Sequence, residues 1–334
     1  MINHEDSSSA AEGYESLSDN SKILSIAIVT HNRKEKLMNL LHSLLESPNV
    51  VSMLAKIVIV DDSPVRMEKE LDIPNIIDYI WMPERIFITK AKNLAWKRTA
   101  SPLILFVDDD NIVSEKSILH MVNIMNSSPG IGAVMPSVSY LNQPSRIWVY
   151  STPFVKGKWS MILVGRNSIE TDAPDYDLME TDALPNAFMI RRSVLLSISG
   201  FDENFLYNNS CDLCQRIKEQ ELKVYASSRA RFLHDVPAPG NRGYWADHVA
   251  ADAGRAFPES RDWALLMRKL HGEKSASSPS IYLHFIFWVF QVDLGMLLIG
   301  LFSRRFIQIN VNFMKGFLAG LKVKISNFYC MPAP

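Results

Sequence analysis

Asp108, Asp109 and Asp110 form an unbroken acidic run directly after the apolar segment 103–107, LILFV. Open α/β sheets place ligands at such strand ends, and three adjacent carboxylates repel one another unless a cation is present. Hard oxygen ligands of this kind suit Mg²⁺ or Mn²⁺ held together with a substrate diphosphate. The plainer alternative is a solvated loop or helix cap shared with Asn111. A second pair, Asp61 and Asp62, ends the segment KIVIVD in the same way, where an ordinary Asx turn before Ser63 and Pro64 is the competing reading. No GxGxxG follows the first apolar run, which leads instead into Thr30, His31, Asn32 and Arg33, and no GxxxxGK[ST] occurs. Any diphosphate must therefore be bound by metal and side chains rather than by a glycine-rich loop.

These residues need strands and crossovers to hold them. LSIAIVT at 24–30 is a continuous β-branched run, Leu37, Leu40, Leu41, Leu44 and Leu45 share one helical stripe, and KIVIVD follows at 56–61. That is a βαβ unit on a buried parallel sheet. IIDYIW at 76–81, a helix around 90–99 and LILFV continue the alternation, so an α/β fold is expected. The region 131–185 is less regular, with one strand at IGAVMP and then an insertion that shapes a pocket wall. Strand character returns at 186–191, followed by a short helix over 193–198 ended by Gly200, a helix over 212–221, and two strand-like segments, LKVYA and ARFLH. The Pro- and Gly-rich run 235–243 reads as a loop, with Trp245, Asp247 and His248 beyond it where a lid is expected.

The ends differ from this core. Residues 1–22 are acidic and rich in Ser and Ala, and read as a disordered tail rather than a signal peptide. Residues 281–302 form an apolar run of nearly bilayer length, interrupted by His284, Gln291 and Asp293. After Arg304 and Arg305, the residues Phe306, Ile309, Phe313, Phe317 and Leu321 recur at helical spacing opposite Gln308, Asn312 and Lys315. This mildly basic amphipathic helix is expected at a membrane surface, with packing on the protein itself as the alternative. The chain has 334 residues and a net charge of −1, so no global basic excess attracts nucleic acid. Its 47% apolar and 21% charged residues are those of a folded protein, and its three cysteines are too few for a disulfide framework. The expected division is a tail at 1–22, an α/β domain at 23–260 and a membrane-associated helical region at 261–334.

Five separated segments resemble glycosyltransferase family 2. SIAIVTHNRKEKLMNLLHSLL is similar to the family's opening strand, Thr-Tyr-Asn-Arg and Leu-rich helix. KIVIVDDS resembles its second strand and nucleotide-contacting Asp pair. TKAKNLAWKRTASPLILFVDDD resembles the stretch from the Ala-Arg-Asn segment to the DXD metal motif, with Lys92 where Arg is usual. LPNAFMIRRSVLLSISGFDENFLY resembles the acceptor-side strand, the Arg pair and the Gly-Phe-Asp-Glu signature, and RARFLHD ends in a His that often completes the metal site. The match covers about residues 23–234.

The resemblance implies a GT-A fold, a mixed and mainly parallel sheet flanked by helices. It implies inverting transfer of a hexosyl or deoxyhexosyl group from a nucleotide-sugar donor to an acceptor hydroxyl, in cell-surface glycan or polyprenyl-linked oligosaccharide synthesis. Asp108, Asp110 and His234 would hold Mg²⁺ or Mn²⁺, and Thr30, Asn32, Asp61, Asp62, Lys92, Asn93 and Asp109 would contact the donor. The cytoplasmic face of the cell membrane is the expected location. Arg191 and Arg192 are candidates for a phosphate of the donor or of a lipid-linked acceptor.

One departure matters. Where the family usually reads Gly-Glu-Asp-x-Asp-Leu, this chain reads Asn208, Asn209, Ser210, Cys211, Asp212, Leu213, so Ser210 holds the usual base position. Asp212 takes the role, or another carboxylate such as Asp182 does, or the chain is a non-catalytic nucleotide-sugar-binding or scaffold subunit. Cys211 and Cys214 form a lone C-x-x-C, better read as packing than as a zinc site.

Overall fold

A computed structural model describes residues 22–67, 74–154, 162–170, 177–238, 256–272, 279, 281–283, 285, 304–325 and 329. The acidic tail up to residue 21, the expected lid residues Trp245, Asp247 and His248, and most of the apolar run 281–302 lie outside the described residues.

The N-terminal half alternates as its periodicity predicts. Strand β1 (Leu24–Thr30) leads through α1 (Lys34–Leu45) and α2 (Pro48–Met53) to β2 (Leu54–Asp61), then β3 (Ile77–Trp81), α3 (Phe87–Lys97) and β4 (Leu103–Asp108). These four strands are parallel in the order β3-β2-β1-β4. Because β1 is flanked by β2 on one side and β4 on the other, the strand order reverses between β1 and β4, and the carboxyl ends at such a switch point are where open α/β sheets bind ligands. Val29 of β1 is in register with Asp108 of β4 there, so the acidic run stands beside the Thr30 segment.

The short β5 (Asn111–Ile112) and α4 (Glu115–Ser127), capped by the Ser114 hydroxyl on the Ser117 N–H, follow the triplet. The region expected to hold one strand contains a hairpin, β6 (Ile131–Tyr140) and β7 (Gln143–Val149), and then β8 (Leu178–Glu180). β9 (Ala187–Arg191) enters antiparallel between β4 and β6, and α5 (Arg192–Ser197) and α6 (Asn209–Lys218) follow. The segments LKVYA and ARFLH are one strand, β10 (Lys223–His234), with a register shift between Ser227 and Arg231. The Ser227 hydroxyl accepts the Ala230 N–H at 3.0 Å and donates to Asp177 at 2.6 Å, which carries the strand through the irregularity. β10 pairs with β6 and brings His234 to the same edge as Asp110.

Two apolar layers cover the sheet. Ile26, Ile28, Ile57 and Ile59 face α1 and α4, and Ala27, Val58, Val60 and Phe106 pack with Ala91, Ala95 and Trp96 of α3. A third cluster joins α7 (Ala256–His271) and α8 (Arg304–Lys322) to Phe205 and Cys211. The domain boundary expected at 260/261 therefore falls inside α7, which packs on Phe205 and Cys211.

The amphipathic stripe of α8 is corrected by this packing. Ile309, Phe313 and Phe317 are buried in the third cluster, with Phe317 stacked on Phe285 at 3.9 Å. Gly316 and Gly320 make that contact possible. A Cβ on Gly316 would stand 2.1 Å from the Phe257 carbonyl oxygen, and one on Gly320 would stand 2.2 Å from that of Arg261. An apolar stripe has the same spacing whether it meets lipid or another helix, which is why the sequence did not separate the two. Among the described residues no helix is long and apolar enough to cross a membrane.

Candidate active site

Basic side chains from three segments face the triplet. Arg33, in the turn before α1, donates through Nη1 to Asp109 at 3.0 Å and to Asp110 at 2.8 Å. Lys92 of α3 lies 3.7 Å from Asp108, and His234 Nε2 lies 3.3 Å from Asp110. Thr30 donates to Asp109 at 2.7 Å. Burial pushes the Asp108 carboxyl up, and Lys92 only partly offsets it. Burial likewise lifts Asp109 to about 6, against the pull of Arg33. For Asp110, burial is outweighed by the hydrogen bond and charge of His234 with Arg33 and Lys36, which hold it down to about 2. The three carboxylates thus differ in character, and Asp110 is the one held as a fixed anion.

Two carboxylates and an imidazole are a donor set that suits Mg²⁺ or Mn²⁺. Among the described residues no three His, Cys, Asp or Glu side chains are gathered as a metal cluster. His234 is buried, with Nε2 toward Asp110 and Nδ1 without a hydrogen-bond partner, while Asp108 keeps 27% of its side chain exposed. The chemistry of these residues, rather than a ready-made cluster, suits a cation that would take its remaining ligands from a bound diphosphate. Asp109 turns away from this opening, toward Thr30 and Arg33.

The expected donor contacts divide into two groups. Asp61 is fully buried and spent inside the protein, accepting from the Ser63 N–H and hydroxyl and from Tyr79. Asn93 is buried and donates to the Phe201 carbonyl and Glu203 while accepting from Trp96 and the Phe201 N–H. These two are corrected to anchors of β2 and α3 respectively. Asp62 accepts the Ile86 and Phe87 N–H groups and meets His31 at 2.8 Å, holding Phe87 at φ 61, a left-handed backbone that a bulky residue rarely adopts. Asn32, at φ 54, binds Ser63 Oγ through its backbone N–H and rests its exposed side chain on the half-buried His31 ring. Of the others, Thr30, Asp62 and Lys92 are buried beside the acidic run or the start of α3, and Asn32 is exposed.

The acceptor side departs most from expectation. Asp212 has 0% exposure and is enclosed by Arg216, Lys269 of α7 and the Tyr329 hydroxyl. A carboxylate so enclosed has no path to an acceptor hydroxyl, and its expected role as base is corrected to that of an anchor between α6 and α7. Asp182 is held by Lys218 and the Phe154 N–H. Arg191 donates to the carbonyls of Met125, Ser128 and Ile131, so its guanidinium is spent within the protein, and Arg192 donates through Nε to that of Thr99. Cys211 and Cys214 are buried thiols, and burial pushes that of Cys211 up to about 12, consistent with packing.

Several side chains that build the site escaped the sequence reading. Arg33 is one, although it stands next to Asn32 in the same motif. Trp148 on β7 presents its ring edge to His234 at 5.1 Å. Asp262 of α7 accepts the N–H groups of Leu206, Tyr207 and Asn208 at 2.8, 2.6 and 3.0 Å, fixing the loop that leads into Asn208, Asn209 and Ser210. No local signal marks these long-range partners, because the elements that carry them lie far apart in the chain.

Comparison with known proteins agrees with this geometry. The profile described as glycosyl transferase family 2 matches residues 25–197, just over half of the chain. A search of curated protein sequences gave no match. Among solved structures, GalNAc-T7 with UDP, GalNAc and Mn²⁺ aligns at 14% identity and a TM-score of 0.57, over 74% of this chain and 48% of its own. A mannosyltransferase, PcManGT from Pyrobaculum calidifontis with GDP-Man and Mn²⁺, aligns at 14% identity and 0.49, over 71% and 62%. S. aureus TarS 1-349 aligns at 15% and 0.49, over 90% and 81%. The chain thus spans about half the length of the first of these proteins, with which it shares a fold. Its parallel sheet, the acidic triplet at the switch point and the profile match together show that the chain belongs to glycosyltransferase family 2.

Proposed function

We propose that this chain transfers a hexosyl or deoxyhexosyl group from a nucleotide-sugar donor to an acceptor hydroxyl of a growing glycan or polyprenyl-linked oligosaccharide, with inversion and with Mg²⁺ or Mn²⁺. The observation that carries the reading is the acidic run 108–110 at the carboxyl end of β4, beside Thr30 of β1, with His234 3.3 Å from Asp110. Asp108, Asp110 and His234 would hold the cation. When bound, the cation supplies charge stabilisation for the diphosphate that leaves as the sugar bond breaks. Lys92 adds a fixed positive charge beside the same carboxylates, and Asp62 sets the start of α3. GalNAc-T7, whose fold this chain shares, is described with a nucleotide and Mn²⁺, in keeping with this reading.

A second reading is a subunit that binds nucleotide-sugar without turning it over. It is favoured by Ser210 at the usual base position and by the enclosure of Asp212. Turnover separates the two. A panel of nucleotide-sugars with Mn²⁺ and membrane glycolipid extract is incubated with the protein, and free nucleotide is measured. Release above the rate without protein supports transfer, whereas donor binding with no release for any donor supports the second reading.

A further inference from the structure

The outer face of α8 carries a second apolar stripe, distinct from the one buried on α7. Val311, Met314 and Leu318 are 39%, 47% and 47% exposed, and their spacing of three and four residues places them on one side of the helix. Lys315 and Lys322 are exposed on that same side, and Lys324 follows it. On the neighbouring helical turn Tyr282 and Leu283 are 38% and 64% exposed, with the Tyr282 ring standing edge-on to Phe317 at 5.5 Å. After Asp293 the sequence contains Arg304, Arg305, Lys315, Lys322 and Lys324 and no acidic residue, in a chain whose net charge is −1.

We infer that this face of α8 docks on an anionic lipid surface. Apolar side chains along the centre of a helix, with lysines beside them, match the depth profile of a headgroup interface, where the apolar tips enter the acyl boundary and the ammonium groups remain at the phosphates. The local charge selects anionic rather than neutral lipid. A second copy of the chain fits less well. A stripe of three partly exposed side chains falls well short of the roughly 800 Å² per partner of a stable interface. The membrane-facing side is thus the reverse of the stripe that periodicity alone points to, since Ile309, Phe313 and Phe317 are already covered.

The test uses the full chain with vesicles of phosphatidylcholine alone and of phosphatidylcholine with phosphatidylglycerol, read by co-sedimentation. Two exposed-site variants, Met314→Ser with Leu318→Ser and Lys315→Gln with Lys322→Gln, are compared with the parent at equal thermal stability. The parent should bind the anionic vesicles and release them at high salt, and each lysine should contribute about fivefold to partitioning. Both double variants should bind at least about tenfold more weakly. No binding by the parent overturns the inference. Equal binding by parent and variants overturns it too, because another part of the chain would then make the contact. A change from dimer to monomer in the Ser variant without lipid assigns the face to a second copy and also overturns it.

Discussion

Asp109 separates stability from function at the scale of one side chain. It is buried beside Asp110, and its carboxyl is lifted to about 6, so at pH 7 the fold holds an anion that its surroundings disfavour. A carboxyl with a raised folded pKa contributes stability below its unfolded value and loses it as pH rises through the folded one. Asp109→Asn keeps an acceptor for Thr30 and removes the charge. The variant should be more stable than the parent at pH 7 by about 1–3 kcal/mol, with the difference gone by about pH 4, where both side chains are neutral. Urea denaturation at the two pH values checks this, and an equal or lower midpoint for the variant at pH 7 would show that the Arg33 contact outweighs the burial. Asp110 behaves oppositely. Its carboxyl is held down to about 2, so its ionised form stabilises the fold above the usual carboxylate range, and that contribution is lost as pH falls through about 2.

Helices and loops carry the next layer. Asp262 reaches from α7 to three consecutive N–H groups of the loop 206–208, and burial raises its carboxyl even though those bonds favour the charge. Asp262→Ala would leave buried donors without partners and should lower the unfolding free energy by at least about 2 kcal/mol, measured by denaturant titration. An unchanged midpoint would mean that water or another side chain replaces it. At this scale the sequence was readable where periodicity is local. β1, β2, β4, α1 and the acidic strand end fall where their apolar patterns put them, and Gly200 ends its helix at φ 73. It was not readable where the partner is distant in the chain. The burial of Asp212 depends on Lys269 and Tyr329, the direction of α8 depends on α7, and the joining of LKVYA to ARFLH depends on Asp177.

Across the whole molecule, the two proposed roles rest on different elements. The carboxyl edge between β1 and β4 gathers Asp108, Asp110, His234, Arg33 and Lys92, while α8 presents its basic, partly apolar face elsewhere. The family match ends at residue 197, yet β10 and α7, both beyond it, supply His234 and the clamp on the loop 206–208. The central claim is that the acidic triplet binds a nucleotide-sugar through a divalent cation. Its most direct measurement is the thermal stabilisation of the parent and of Asp110→Ala by a panel of nucleotide-sugars, each in Mn²⁺ and in EDTA. A donor at about 100 times its dissociation constant should raise the parent's stability by about 2.7 kcal/mol in Mn²⁺, with little effect in EDTA or in the variant. Equal stabilisation of the parent in EDTA and in Mn²⁺, or full Mn²⁺-dependent stabilisation of Asp110→Ala, would contradict it.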